Sequence, residues 1–95
     1  AAEAYRYPDG TKLVLSMTST PVCRLTGAKS LQLRERGTSA SAALRCYLKR
    51  GETVDVLEKG ETWSRVLVDG MEGYVKNFYL TFGTRIRYIE QYIEP

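Results

Sequence analysis

The fold of this chain is decided by residues 63–80, which read WSRVLVDGMEGYVKNFYL. Asp69-Gly70 stands between two runs rich in β-branched and aromatic residues, and this dipeptide accepts positive φ at both of its positions. The stretch therefore predicts a β-hairpin closed by a two-residue type I′ turn. Such a turn fixes the register of the two strands, with the opposed pairs Val68–Met71, Val66–Gly73 and Ser64–Val75.

The two faces of this hairpin differ in character, because side chains alternate along a strand. One face is predicted to be core and carries Val66, Val68, Met71 and Val75, with Gly73 leaving room beside Val66. The other face mixes aromatic and charged side chains, namely Trp63, Arg65, Leu67, Glu72, Tyr74 and Lys76. This second face is either a ligand surface or a cap over one end of the fold.

Composition excludes several classes of function. The chain has 95 residues, a net charge of +3 and no histidine, which removes His-dependent nucleophiles, general bases and metal ligands. Basic and acidic residues are interspersed, which argues against a nucleic-acid-binding stripe. No apolar run reaches membrane-spanning length. We therefore expect a protein that is not an enzyme, with no cofactor, no metal, no nucleic-acid partner and no membrane span.

The rest of the chain reads mainly as short strands punctuated by glycine, at residues 22–25, 31–34, 43–48 and 53–57. Strand 43–48 is expected to pair with strand 31–34. These strands and the hairpin predict a small all-β barrel. Residues 1–21 form an N-terminal extension whose alternating part, residues 12–18, predicts a strand that Pro21 ends. This segment is either an added strand of the main sheet, which we favour, or the tail of a preceding domain.

The C-terminal residues 83–95 depart from the barrel pattern. Ile86, Ile89 and Ile93 recur at helical spacing after Gly83-Thr84, which favours a short helix. A strand with Ile86, Tyr88 and Glu90 on one side is the alternative. In both cases the apolar stripe is expected to be covered, by the barrel or by a second copy.

Several motifs of residues 22–82 together resemble the bacterial SH3 (SH3b) domain family. They are LQLR at residues 31–34, LKRGE at 48–52, WSRV at 63–66, GYV at 73–75 and YL at 79–80. The departures are Leu33 for the usual valine, Thr62 for the usual glycine, and a loop after Arg34 without the usual Gly-Pro-Ser. The resemblance implies an SH3-like barrel of five to seven short strands over residues 22–82, with a C-terminal helix or strand after it.

Eukaryotic SH3 domains give a second comparison for residues 73–80. Two positions that contact proline-rich peptides in that family match Trp63 and Tyr79, but the proline between them is Lys76 here. Ordinary recognition of proline-rich peptides is therefore not implied.

The resemblance implies a non-catalytic, extracytoplasmic binding module that recognises cell-wall (peptidoglycan) glycopeptide or positions a neighbouring cell-wall domain. The candidate ligand-binding residues are Arg34, Trp63, Tyr74, Phe78 and Tyr79. Of these, Trp63, Tyr74 and Tyr79 are expected to line one solvent-facing groove beside the loop at residues 35–41. The alternative is a protein–protein assembly module that uses the aromatic face and the C-terminal segment, including a homodimer. In an exported domain, Cys23 and Cys46 are expected to form a disulfide, against the alternative of two buried thiols.

Overall fold

The computed structural model describes residues 2–95 and is all-β. Its eight strands are β1 (Ala2–Arg6), β2 (Lys12–Leu25), β3 (Ser30–Arg34), β4 (Ala43–Lys49), β5 (Thr53–Lys59), β6 (Trp63–Val68), β7 (Met71–Lys76) and β8 (Leu80–Ile93), with a 3₁₀ turn at Asn77–Tyr79. The described chain divides into a central unit, residues 21–84, and a terminal unit, residues 2–20 and 85–95. Strands β2 and β8 contribute residues to both units.

The central unit is an antiparallel sheet with the strand order β2-β5-β6-β7-β3-β4. The β6–β7 hairpin has the predicted register, including the pairs Val68–Met71 and Val66–Gly73. Asp69 and Gly70 at its turn have φ of 50° and 79°, as a type I′ turn requires. The predicted pairing of β3 with β4 is also confirmed. The fold is therefore SH3-like, with a sheet that curls around one core and is not closed by a continuous ladder.

The core of the central unit consists of small and medium apolar side chains from all of its strands. Its buried members are Cys23, Leu25, Leu33, Cys46, Leu48, Val54, Val56, Val66, Val68 and Val75. Gly73 is where the core comes closest to the backbone, because a Cβ there would lie 2.8 Å from the Cβ of Leu33. Met71 was predicted on the core face but is 40% exposed, since it follows the turn at the solvent-facing end of the hairpin.

The terminal unit is built from strands alone. β1 pairs antiparallel with β2, with Tyr5 opposite Leu13 and Ala2 opposite Leu15, and β8 also pairs with β2. The predicted strand at residues 12–18 is thus confirmed, whereas the helix favoured for the C-terminal residues is wrong and the strand alternative is right. Alternating isoleucine and tyrosine suit a strand, and pairing with β2 supplies hydrogen bonds that an isolated short helix lacks.

Pro21 does not end its strand, because β2 continues to Leu25. It lies directly before Val22, where the ladder of β2 with β5 begins. A residue without a backbone N–H is tolerated at such a point, where no ladder bond is required of it.

The disulfide predicted between Cys23 and Cys46 is not formed, and both residues are free, buried thiols. Cys23 lies on β2 opposite Val54, Cys46 lies on β4, and both belong to the buried core. The Cys46 thiol donates instead to the carbonyl oxygen of Val68, at 3.5 Å. The alternative of two buried thiols in the core is therefore the correct one.

Within residues 2–95, no helix has the length and apolar character needed to cross a membrane.

Candidate ligand groove

A groove of about 200 Å³ opens on the surface of the central unit, between β3, the start of β6, the end of β7 and the 3₁₀ turn. It is lined by Leu31, Gln32, Arg34, Ser39, Trp63, Val75, Lys76 and Tyr79. Four of these residues are apolar or aromatic, and four are polar or charged. The groove is therefore more polar than the usual small-ligand pocket.

Two aromatic side chains, Trp63 and Tyr79, stand in the wall of the groove, and both are half-buried. Trp63 begins β6 and is opposite Lys76 in the hairpin register. The backbone of Tyr79 is fixed because its carbonyl oxygen accepts hydrogen bonds from the N–H groups of Thr26 and Gly27, both at 3.0 Å. Tyr79 also packs on the core. Each ring is thus held by the barrel itself rather than by a mobile loop.

The loop after β3 forms the rim of the groove next to Trp63. The guanidinium of Arg34 donates to the carbonyl oxygen of Ser41 at 3.0 Å, and the Ser41 hydroxyl donates to the carbonyl oxygen of Arg36 at 3.0 Å. Gly37 lies against Trp63, because a Cβ at this position would be 3.1 Å from the Trp63 Cβ. The loop is therefore tied to Arg34 and Trp63, although it contains no Gly-Pro-Ser motif.

The charge in the groove is positive. Arg34 and Lys76 are the charged residues among its described lining side chains, and none of those side chains is acidic. On the same outer face of the hairpin, Arg65 forms an ion pair with Glu72 at 3.3 Å, so that carboxylate is already matched by a cation. The groove is consequently suited to a ligand that carries both an apolar face and a negative charge.

The structure brings together three of the five residues that the sequence nominated. Arg34, Trp63 and Tyr79 line the groove, but Tyr74 and Phe78 are not among its lining residues. Tyr74 is half-buried, and its Cδ1 would be 3.6 Å from a Cβ at Gly37, so the loop packs against this ring. Phe78 is 82% exposed and makes an edge contact with Tyr79, with ring centroids 5.2 Å apart.

Asn77 and Ser64 position the groove but were not singled out from the sequence. The buried Ser64 hydroxyl donates to the Asn77 Oδ1 at 2.6 Å, and the Asn77 Nδ2 donates to the carbonyl oxygen of Gly60 at 2.8 Å. These bonds connect the 3₁₀ turn that carries Tyr79 to the turn before Trp63. A serine on the core face of an otherwise apolar strand was the available signal, since a buried hydroxyl requires a partner.

The remaining chemistry of the described residues offers no obvious reactive group. No cluster of three or more His, Cys, Asp or Glu that could hold a metal ion occurs within residues 2–95. Burial raises the pKa of the Cys23 thiol to about 11, which suppresses the reactive thiolate.

Comparison with known proteins identifies one family. The profile of the bacterial SH3 domain matches residues 29–81, a range that contains β3 to β7, the 3₁₀ turn and every residue of the groove. No curated protein and no solved structure matched the chain. The chain belongs to the bacterial SH3 domain family, whose members are generally binding modules.

Proposed function

We propose that this domain binds cell-wall glycopeptide in the groove between Trp63 and Tyr79, without catalysing a reaction on it. The observation that carries the proposal is the composition of the groove, in which two aromatic rings accompany two cations and no acid. Sugar rings and peptide planes stack on aromatic faces. The peptide part of a cell-wall polymer supplies carboxylates, which Arg34 and Lys76 can meet.

The size of the groove restricts how much of the polymer it holds. A volume of about 200 Å³ is below the roughly 300–1,000 Å³ of pockets that enclose a drug-sized ligand. The groove therefore accommodates one sugar ring or a short peptide segment and leaves the rest of the chain in solvent. Such a site gives modest affinity, which repeated contacts along a polymer or a neighbouring domain strengthen.

The proposed ligand requires a location outside the cytoplasm, and bacterial SH3 domains are often extracellular. Free cysteines are compatible with such a compartment here. Both thiols are buried in the core, and the raised pKa of Cys23 keeps its thiol protonated at neutral pH. A disulfide is thus not needed to protect these residues from oxidation.

A matched pair of aromatic variants tests the proposal. Trp63→Ala removes a ring from the groove, whereas Phe78→Ala removes a ring that is 82% exposed and outside the groove lining. We expect Trp63→Ala to weaken sedimentation with purified cell walls by on the order of tenfold or more, because stacking on an aromatic anchor is lost. Phe78→Ala is expected to bind as the wild-type chain does.

Thermal unfolding of both variants shows whether the fold is intact. Equal binding by folded Trp63→Ala and wild-type chains would contradict the groove proposal. The same applies if neither the wild-type chain nor Phe78→Ala binds purified walls or soluble glycopeptide fragments.

A further inference from the structure

The terminal unit has one strongly apolar face. In β2, the side chains of Leu13, Leu15 and Met17 lie on one side because they alternate with those of Val14 and Ser16. The opposed partner of Leu13 is Tyr5, which extends this side across β1. We call the surface the tyrosine face, and its residues are Tyr5, Tyr7, Leu13, Leu15, Met17, Ile86, Tyr88, Glu90 and Tyr92.

Ring contacts assign β8 to the same face. Tyr7 makes an edge contact with Tyr5, with centroids 4.8 Å apart, and lies 6.3 Å from the ring of Tyr92. The Tyr7 hydroxyl and the Glu90 carboxylate raise the pKa of Tyr92, which places Glu90 beside it. Alternation back along β8 then puts Tyr88 and Ile86 on the tyrosine face as well.

The opposite face of the terminal unit is more polar. It carries Glu3 and Arg6, which form an ion pair at 2.9 Å, and Lys12, which is opposite Arg6 in the register. By alternation, Arg87 and Ile89 of β8 lie there too. The two isoleucines Ile86 and Ile89 are thus on different faces, although their exposures are nearly equal at 57% and 54%.

The tyrosine face is large for an apolar surface that is exposed to solvent. Tyr5, Met17, Tyr88 and Tyr92 are between 54% and 69% exposed, and Tyr7 and Ile86 are 37% and 57% exposed. With side-chain areas of about 150–250 Å² for aromatic residues, the open area of the face is on the order of 700 Å². This exceeds the roughly 300–600 Å² of the largest apolar patch on a typical monomer. It is close to the roughly 800 Å² that each partner contributes to a standard protein–protein interface.

We propose that the tyrosine face is a self-association surface on which a second copy of this chain packs its own tyrosine face. The area is that of one side of a stable dimer. Two such sheets can stack about 10 Å apart with interdigitating side chains. An isologous pair of this kind is the commonest form of oligomer.

The dimer extends the function beyond ligand binding. It would present two copies of the groove, so that two weak contacts with one polymer act together. Self-association and binding in the groove involve different residues, and either can fail without the other.

Sedimentation of the 95-residue chain tests the proposal with two isoleucine variants. We expect the wild-type chain to sediment as a dimer that dissociates on dilution. Ile86→Lys places a charge on the tyrosine face and should raise the dissociation constant on the order of 100-fold. Ile89→Lys makes the same change on the opposite face and should leave the dimer intact.

Circular dichroism shows whether Ile86→Lys keeps its strands. Tyr88→Ser is a milder substitution on the same face, and we expect this variant to be monomeric as well. A wild-type chain that remains monomeric at every accessible concentration overturns the proposal. Equal weakening by both lysine variants overturns the face assignment. Binding of folded, monomeric Ile86→Lys to purified cell walls is measured in parallel. Because this variant keeps the groove, its wall binding tests the function proposed for the groove independently of the dimer.

Discussion

The central and terminal units are both built from strands with alternating side chains, but the apolar side chains are buried in the central unit and exposed in the terminal unit. In the central unit, Leu33 and Leu48 are completely buried, whereas Met17 and Tyr88 of the terminal unit are 65% and 69% exposed. The central sheet curls so that its strands pack on one another around a core. The terminal strands form a single layer that offers one apolar face. Alternation therefore tells which side chains share a face, but burial depends on what lies opposite that face.

The largest expected effect is on the free energy of unfolding, which should fall much more for a substitution in the central unit than for one in the terminal unit. Leu48→Ala leaves a cavity in the core and should destabilise the chain by about 2–5 kcal/mol. Ile89→Ala, on the polar face of the terminal unit, should cost less than about 1 kcal/mol. Urea denaturation followed by the fluorescence of Trp63, the one tryptophan in the sequence, measures both. Similar losses in the two variants would mean that the terminal unit is as tightly packed as the core.

A smaller effect is expected for two glycines of the central unit. The Cβ of Gly73→Ala would lie 2.8 Å from side-chain atoms of Leu33, so overpacking should cost about 1–3 kcal/mol. At Gly83, a Cβ meets nothing within 4 Å, and Gly83→Ala should be neutral or stabilise the chain by up to about 1 kcal/mol. Thermal unfolding compares the two variants. A neutral Gly73→Ala would show that Leu33 can move and that the core is looser than its burial indicates.

Thiol labelling separates the two units, because both cysteines lie in the central one. We expect Cys23 and Cys46 to be unreactive in the native chain and to be labelled only after the central unit unfolds. Ile86→Lys, which changes only the terminal unit, should not accelerate labelling. Mass spectrometry after alkylation counts the modified thiols. Rapid labelling of the native chain, or a pair of thiols already oxidised to a disulfide, would contradict the structure.

A further expected effect is a loss of stability at alkaline pH. Burial raises the pKa of Cys23 from 9.0 to about 11, so the folded chain holds this proton more tightly than the unfolded chain does. The stabilisation is present below pH 9 and is lost as the pH rises towards 11. Urea midpoints of the wild-type chain and of Cys23→Ala between these pH values test it. The urea midpoint of the wild-type chain should fall more steeply with pH than that of Cys23→Ala.

Local sequence predicted the part of the fold that depends on local geometry. The Asp69-Gly70 turn fixes the register of β6 and β7, and the alternation of Ser64, Val66 and Val68 identifies the core face. The strands on either side were recognised from β-branched residues between glycines. The family followed from the order and spacing of short motifs over this same region.

The same reasoning predicted only some of the residues that line the candidate groove. Trp63 and Tyr79 were nominated from the face of the hairpin and from their match to SH3 domains, and both line the groove. Tyr74 shares the face of Trp63 but packs against the loop at Gly37 and does not line the groove, and loop placement is not encoded in strand alternation. Gln32 and Ser39 line the groove because β3 and its loop pack beside β6 and β7, which depends on non-local contacts.

What the sequence by itself determined is therefore the set of strands in the central unit, the hairpin register and the polarity of each face, because these follow from turn chemistry and alternation over neighbouring residues. Tertiary structure decided the features that depend on residues distant in the chain. Pairing with β2 made the C-terminal segment a strand, although its isoleucines also fit a helix. The packing of the core left Cys23 and Cys46 as two separate buried thiols, and the Cys46 thiol donates to the carbonyl oxygen of Val68. In both cases contacts with residues distant in the chain decide the outcome, and a short stretch of sequence does not contain them.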